Sequence, residues 1–321
     1  MPARTKTAPK LRVAVTGAAG DLGALLLPRL LDDPGVEKVL ALDVAKPHPE
    51  PGLEYRRVDL THHEADRALA EALEEERIDA LYHLAFIWTP RTRGSIAHEL
   101  EVAGSMRVLE AAARVKLPRL VVPSLTVLYG AHRGHPALIR EGAPLRGCPS
   151  SRFVSDKVEV ENLVRQFRDR HPETRVLVLR FAPILGPSVD NPATRLLSRG
   201  VIPTLLGFDP LWQVIHEEDV ASALHLALRA EAAGVFNVVA EDPLPLSGMV
   251  HLAGGRVLPL PRPVARTALR AIDAYGGTGV PPDLLDYMNY SWVADGSRAK
   301  DDLGFVPRHR ARDAVAAMRR S

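Results

Sequence analysis

A single cysteine, Cys148, occurs in 321 residues, which excludes an intramolecular disulfide framework. It lies in the loop-like run PLRGCPSS without His or Cys at metal spacing, so no zinc site is implied and a reducing, cytoplasmic location is expected. Neither sign of charge predominates: 41 basic residues face 39 acidic ones, for a net charge of +2. With no basic stripe and no interleaved aromatics, nucleic acid is not an expected partner, and a small-molecule substrate is. No apolar run reaches the roughly 18–20 residues of a membrane span; the best candidate, LRVAVTGAAGDLGALLL, is broken by glycines and Asp21. The chain lacks a fixed-period repeat and a low-complexity linker. The opening MPARTKTAPK carries Arg4, Lys6 and Lys10 but no apolar segment of signal-peptide form, so residues 1–10 read as a flexible basic tail.

What the sequence does contain is alternation. Short β-branched apolar runs at 11–16, 36–43, 52–60, 78–86, 119–125 and 175–184 alternate with helical periodicity, including helices around 96–115 and 151–171. This order predicts an α/β fold of Rossmann type, a doubly wound parallel sheet with helices on both faces. Beyond Gly186 the texture becomes rich in proline and glycine. Strand and helix patterns return over 213–240, and further helices are expected near 264–274, 297–303 and 311–319. The expected organisation is a cofactor-binding domain over 11–186 plus 213–240, and a smaller, discontinuous substrate lobe over 187–212 plus 241–321.

The strongest local signal is VTGAAGDLG. Gly17 permits a tight turn, Gly20 lets the backbone approach a pyrophosphate, and Gly23 permits close packing of helix on sheet, while the helix N-terminus offers unpaired N–H groups to an anion. Asp43 ends the next strand about 20 residues downstream, the placement from which a carboxylate accepts hydrogen bonds from the adenosine ribose. Because that carboxylate would repel a 2′-phosphate, NAD is expected ahead of NADP. Lys46, three residues on, works in the opposite sense.

With these residues in view, the chain resembles the extended short-chain dehydrogenases/reductases, the NAD-dependent epimerase/dehydratase group that includes nucleotide-sugar epimerases. TGAAGDLG (16–23) is similar to TGxxGxxG, YHLAF (82–86) to the HLAA stretch, GSMRVLEAA (104–112) to GTxxLLEAA, LRFAPILGP (179–187) to LRxxNVYGP, VIHEEDVASALHLAL (214–228) to FVHVDDVAxAxxLAL, and DGSRAKDDLGFVP (295–307) to DxSKAxxxLGWxP. The resemblance spans nearly the whole chain. It implies that Ala18, Ala19, Gly20, Asp21 and Leu22 meet the pyrophosphate, that Asp59 and Leu60 flank the adenine, and that Leu84 and Ala85 lie along the ribose and nicotinamide side. His83 reads as a packing histidine. A nucleotide-sugar substrate and a homodimer, paired through the helices around 96–115 and 151–171, are likewise implied.

The same resemblance exposes departures. The family places a Tyr and a Lys four apart on one helix, with the phenol as acid or base and the lysine stabilising its charge. SRFVSDK (151–157) aligns Lys157 with the lysine and Phe153 with the tyrosine. PSLTVLYG (123–130), similar to SSxxVYG, aligns Leu125 with the usual Ser/Thr and leaves Ser124 one residue before it. Glu101 stands in place of a helix asparagine, and Pro183 where the strand end often carries Asn. Lys157 and Ser124 are therefore the candidate catalytic residues, with Lys157 also a candidate ribose ligand. Thr126, Tyr129, Ser155 and Asp156 are other oxygens in the neighbourhood. Two readings stay open: an oxidoreductase using a rearranged acid–base group, or a non-catalytic dinucleotide-binding sensor or scaffold. Arg195 and Arg199, four apart, read either as a phosphate grip or as an exposed helix face.

Overall fold

The apolar runs assemble, in a computed structural model describing residues 9–86, 97–148, 151–276 and 282–319, into one seven-stranded sheet. β1 (Leu11–Thr16), β2 (Val36–Asp43), β3 (Leu53–Arg57), β4 (Ala80–His83), β5 (Arg119–Leu125) and β6 (Arg175–Phe181) are joined by a seventh strand, Gly234–Val238. Their order is Gly234–Val238, β6, β5, β4, β1, β2, β3, and every pairing is parallel. The expected doubly wound sheet is the observed one. Most of the tail and the start of the helix expected from 96 lie outside the described residues, as do 149–150, 277–281 and 320–321.

Side-chain alternation along the strands divides the core into two layers. Val13, Val15, Val39, Ala41, Leu177 and Leu179 pack on one face with Leu26 and Leu30 of α1 (Asp21–Leu31) and with Val220 and Leu224 of the Glu217–Ala227 helix. Ala14, Leu40, Leu42, Val176 and Val178 pack on the other with Leu69 and Leu73 of α2 (Ala65–Glu75), Val108 and Ala112 of the Gly104–Arg114 helix, and Val160 and Val164 of the Arg152–Arg170 helix. Burying each such side chain contributes about 1.5–3 kcal/mol, so a one-residue slip of any central strand would exchange the layers and is strongly opposed.

The first layer continues past the sheet. Its buried cluster runs on to Leu196, Ile202, Trp212, Met249, Leu285, Trp292 and Met318, so the proline-rich segments share one continuous apolar core with the sheet. Among the described residues, three two-stranded pairs stand outside the main sheet: Ile184–Leu185 with Ile215–His216, Leu211–Trp212 with Leu244–Pro245, and Val201–Leu205 with Arg256–Leu260. The expected helices near 264–274, 297–303 and 311–319 appear as Arg262–Gly276, Ser297–Leu303 and Ala311–Met318. Among the described residues, no helix is long and apolar enough to cross a membrane.

The strand order fixes where a site belongs. From β1 the chain moves outward through β2 and β3, then returns to β4 and proceeds the other way through β5 and β6. The crevice at the carboxyl ends of β1 and β4 is the switch point at which such sheets bind ligands.

Candidate functional site

The glycine loop closes over this switch point by three different contacts. Gly17 has φ +68°, and a Cβ there would lie 2.4 Å from the Ala85 nitrogen, so the turn after β1 needs glycine to pass the chain leaving β4. A Cβ on Gly23 would meet the Ala18 carbonyl oxygen at 2.3 Å, which ties the first turn of α1 to the loop. Gly20 differs: its conformation is extended, φ −84°, and a Cβ there would meet only the Gly17 carbonyl oxygen, at 3.3 Å. Gly20 also caps α1 without a side-chain acceptor, leaving the first-turn amides of Asp21 and Leu22 without intrahelical partners. That arrangement suits an anion approaching close to the backbone.

Asp43 is bound to this loop. Its Oδ2 accepts from the Ala19 amide at 2.9 Å and its Oδ1 from the Ala45 amide at 3.1 Å; each carboxylate oxygen retains a further lone pair for a hydroxyl donor. Asp59 closes a turn on Thr61, accepting from its hydroxyl at 2.6 Å and its amide at 3.0 Å, and those bonds hold its pKa below the usual carboxylate value. Leu60 is buried, and its carbonyl accepts from Arg107 at 2.7 Å. Leu84 is buried and donates its amide to Thr16 O at 3.0 Å, with half-buried Ala85 beside it against Gly17. His83 packs as expected: its ring nitrogens contact Thr16 Oγ1 at 2.8 Å and Ser105 Oγ at 3.0 Å, and burial depresses its pKa to about 3.

Lys157 and Phe153 share one face of the Arg152–Arg170 helix. The Lys157 ammonium lies 5.0 Å from the centre of the Phe153 ring and 5.0 Å from that of Phe86. It also donates to both carboxylate oxygens of Glu101, at 3.0 and 3.2 Å. Glu101 belongs to a wide, five-residue π-turn, Glu99–Ala103, that precedes the Gly104–Arg114 helix. Such turns re-aim side chains and recur at functional sites.

Ser124 lies in a different environment from Leu125. In the parallel register of β5 with β6, Ser124 stands beside Arg180 and Leu125 beside Phe181, and successive side chains take opposite faces. Ser124 consequently hydrogen-bonds Glu161, whose carboxylate takes a forked set of bonds from Arg180, including 2.9 Å to Nε and 2.6 Å to Nη2. Leu125, not Ser124, lines the apolar cavity beside Phe153. The same network holds Tyr129, whose hydroxyl accepts from Arg180 at 2.7 Å and donates to Asn237 at 2.7 Å; burial pushes this phenol up despite the guanidinium. Asp156 contacts His98 at 3.0 Å. Thr126 is buried and Ser155 exposed. None of these oxygens lines the cavity that Phe153 faces.

That cavity, of about 130 Å³, is walled on the sheet side by Leu22, Leu125, Phe153 and Phe181. Trp212, Tyr287, Met288 and Trp292 face them from the proline-rich segments. Among the described residues, Asp21 is the one carboxyl on its wall; partial burial and the nearby Asp190 and Glu217 raise its pKa. Arg195 forks onto Asp190, and among the described residues no Lys or Arg lines the cavity. The aromatic wall and the Ser124–Glu161–Arg180–Tyr129 network were not anticipated from sequence. The one available signal was Arg180 itself, a charge inside the apolar strand RVLVLRF.

Comparison with known proteins agrees with this geometry. The sequence model of the NAD dependent epimerase/dehydratase family matches residues 13–239. An uncharacterized protein of Mycobacterium tuberculosis is 31% identical over 302 residues, covering 92% of this chain and 80% of its own. The UDP-glucose 4-epimerase of Azospirillum brasilense is 26% identical, covering 97% and 91%. Among solved structures, MoeE5 in complex with UDP-glucose and NAD superposes with a TM-score of 0.72 at 25% identity, over 96% of this chain and 97% of that one. The UDP-glucose 4-epimerase of Thermotoga maritima superposes with a TM-score of 0.73 at 16% identity, over 97% and 98%. A match across both the glycine loop and the Lys157 helix leaves one assignment: the chain belongs to the NAD-dependent epimerase/dehydratase family.

Proposed function

We propose that this chain binds NAD at the switch point and holds a small hydroxyl- or carbonyl-bearing ligand in the Phe153 cavity, without the phenol-driven acid–base chemistry implied by the family resemblance. The amides of Asp21 and Leu22 would serve the pyrophosphate, Asp43 and Lys157 the riboses, and Asp59, Leu60, Leu84 and Ala85 the flanks. Bound, NAD supplies a hydride acceptor and donor. In this reading residues 11–186 with 213–240 form the cofactor half and 187–212 with 241–321 the ligand half, in a cytoplasmic homodimer.

The observation that carries the reading is the pair Leu125 and Phe153. Both wall the cavity, neither carries a proton donor, and the hydroxyls of Ser124 and Tyr129 are engaged with Glu161, Arg180 and Asn237. Loss of one positioned acid–base group typically costs about 10²–10⁴ in rate. The test is calorimetric NAD binding followed by turnover assays with UDP-glucose and related nucleotide sugars, for the native chain and for Phe153→Tyr with Leu125→Ser. NAD binding with turnover only in the double variant is expected; rapid turnover by the native chain overturns the reading.

A second reading, an active nucleotide-sugar epimerase or dehydratase with a rearranged acid–base group, is favoured by Asp21. Its raised carboxyl pKa moves it toward the range a general acid needs. Turnover in the native chain that disappears in Asp21→Asn would support it.

A further inference from the structure

A second concave site shares no lining residue with the Phe153 cavity among the described residues. It is a groove of about 770 Å³ between the Arg152–Arg170 helix, the 141–145 loop and Gly234–Val238, the last of which is an edge strand of the main sheet. Its apolar floor belongs to the second core layer. Val164, Val176 and Val178 are buried there, and Val235 of the edge strand is half-buried against that layer.

Two helices add positive charge above this floor. Arg165 and Arg168 line the groove from the Arg152–Arg170 helix, and Arg298 lines it from the Ser297–Leu303 helix. The Arg298 guanidinium carbon lies over the Phe236 ring, 4.8 Å from its centre. Gly234, at φ +114°, leaves room for it, since a Cβ there would come within 3.2 Å of Arg298 Nη2. The side-chain partners of the three are exposed contacts: Asn162 for Arg165 at 3.0 Å, Asp169 for Arg168 at 2.9 Å and Asp302 for Arg298 at 3.1 Å. Exposed pairs of this kind contribute little, so a better-matched anion can replace them. Two carboxylates also line the groove, and both are engaged. Glu161 takes the fork from Arg180 and the Ser124 hydroxyl, and Glu141 Oε1 accepts the Asn237 amide at 2.9 Å. With Arg180 neutralising Glu161, the described wall keeps an excess of guanidinium charge.

We propose that this groove binds a small organic phosphate, with the phosphoryl group held by Arg165, Arg168 and Arg298 and an apolar or aromatic body laid on the valine floor. Guanidinium forks match phosphate oxygens in geometry as well as in charge. The volume falls in the ordinary range of small-molecule sites, about 300–1,000 Å³. The groove is separate from the glycine loop and from the Phe153 cavity, and the inference depends on the reading of neither.

The experiment is calorimetry on the full chain with naphthyl phosphate as probe, and with naphthol and inorganic phosphate as its two halves. Saturable binding of naphthyl phosphate, about tenfold or more tighter than either half and weakened by added salt, is the expected result. Arg165→Gln with Arg298→Gln should weaken it about tenfold or more by removing charge. Ala233→Trp, at an exposed position on the groove wall, should do the same by filling space with the arginines intact. Gly20→Ala, in the loop that the cofactor reading gives to a pyrophosphate, should leave the affinity unchanged, which separates the two sites. Absence of saturable binding, inorganic phosphate binding as tightly as the naphthyl ester, full affinity retained in either groove variant, or loss of binding in Gly20→Ala would each overturn the proposal.

Discussion

The Lys157 ammonium reaches both carboxylate oxygens of Glu101, at 3.0 and 3.2 Å, with both side chains buried. The lysine proposed above as a ribose ligand is thus held by a carboxylate 56 residues earlier in the chain. Removing one partner of a buried pair commonly costs about 3–5 kcal/mol because the other charge is left behind. Lys157→Met and Glu101→Gln are each expected to destabilise the fold by that order. The double variant should lose less than the sum, and urea unfolding of the four proteins measures the coupling. Strict additivity would mean that the two groups do not depend on each other.

Two glycines of one loop should respond oppositely. Gly17→Ala places a β-carbon against Ala85 at positive φ and should destabilise by about 2 kcal/mol or more, since such backbone strain alone costs about 1–3 kcal/mol. Gly20→Ala meets little and should hold stability within about 1 kcal/mol while weakening NAD binding at least tenfold. Thermal unfolding and calorimetry on both variants decide; unaltered NAD affinity in Gly20→Ala would remove the loop from the cofactor site.

Neighbouring positions on β5 test the face assignment. Ser124→Ala deletes a hydrogen bond to a charged acceptor, which should cost about 1.5–3 kcal/mol without altering the Phe153 cavity. Leu125→Ser changes the cavity wall and should alter ligand binding. If Ser124→Ala instead changed ligand affinity and not unfolding, the facing inferred from the register with Arg180 and Phe181 would be wrong.

His83 makes stability depend on pH. Its folded pKa, about 3, is depressed by burial from an ordinary 6.5, so between those values the unfolded chain takes up a proton that the folded chain refuses. Its contribution is complete above pH 6.5 and declines as pH falls toward 3, by up to about 1.4 kcal/mol per unit. Urea unfolding at pH 7, 6 and 5 should show this slope in the native chain and a smaller one in His83→Gln. His132 and His216, also lowered by burial, are common to both proteins and cancel in the difference. Parallel slopes would show that His83 is not the group that titrates.

Patterns local in sequence were legible. VTGAAGDLG declares a strand, a turn and a helix because only glycine passes Gly17 and Gly23, and the alternation of apolar runs with amphipathic segments permits few sheets other than a parallel one. The spacing of Phe153 and Lys157 puts them on one helix face whatever surrounds them. The departures at Phe153, Leu125, Glu101 and Pro183 were visible only through the resemblance to the family's motifs. The fold class and the order of its elements thus follow from periodicity and backbone sterics within short windows.

Contacts between distant segments were not legible, because they depend on register and packing. Ser124 is a candidate hydroxyl and Leu125 a departure from the usual Ser/Thr until β5 pairs with β6 and stands Ser124 beside Arg180. Glu101 is a departure from a family asparagine until a π-turn aims it at Lys157. Trp212, Tyr287 and Trp292 are scattered aromatics in proline-rich sequence until the shared core brings them opposite Phe153. The sequence by itself determined a dinucleotide-type fold and a phenylalanine, with no phenol, four residues before Lys157. Only the tertiary structure decided which charges neutralise one another and that the described wall of the Phe153 cavity is mostly apolar, since both follow from which faces meet across long stretches of chain.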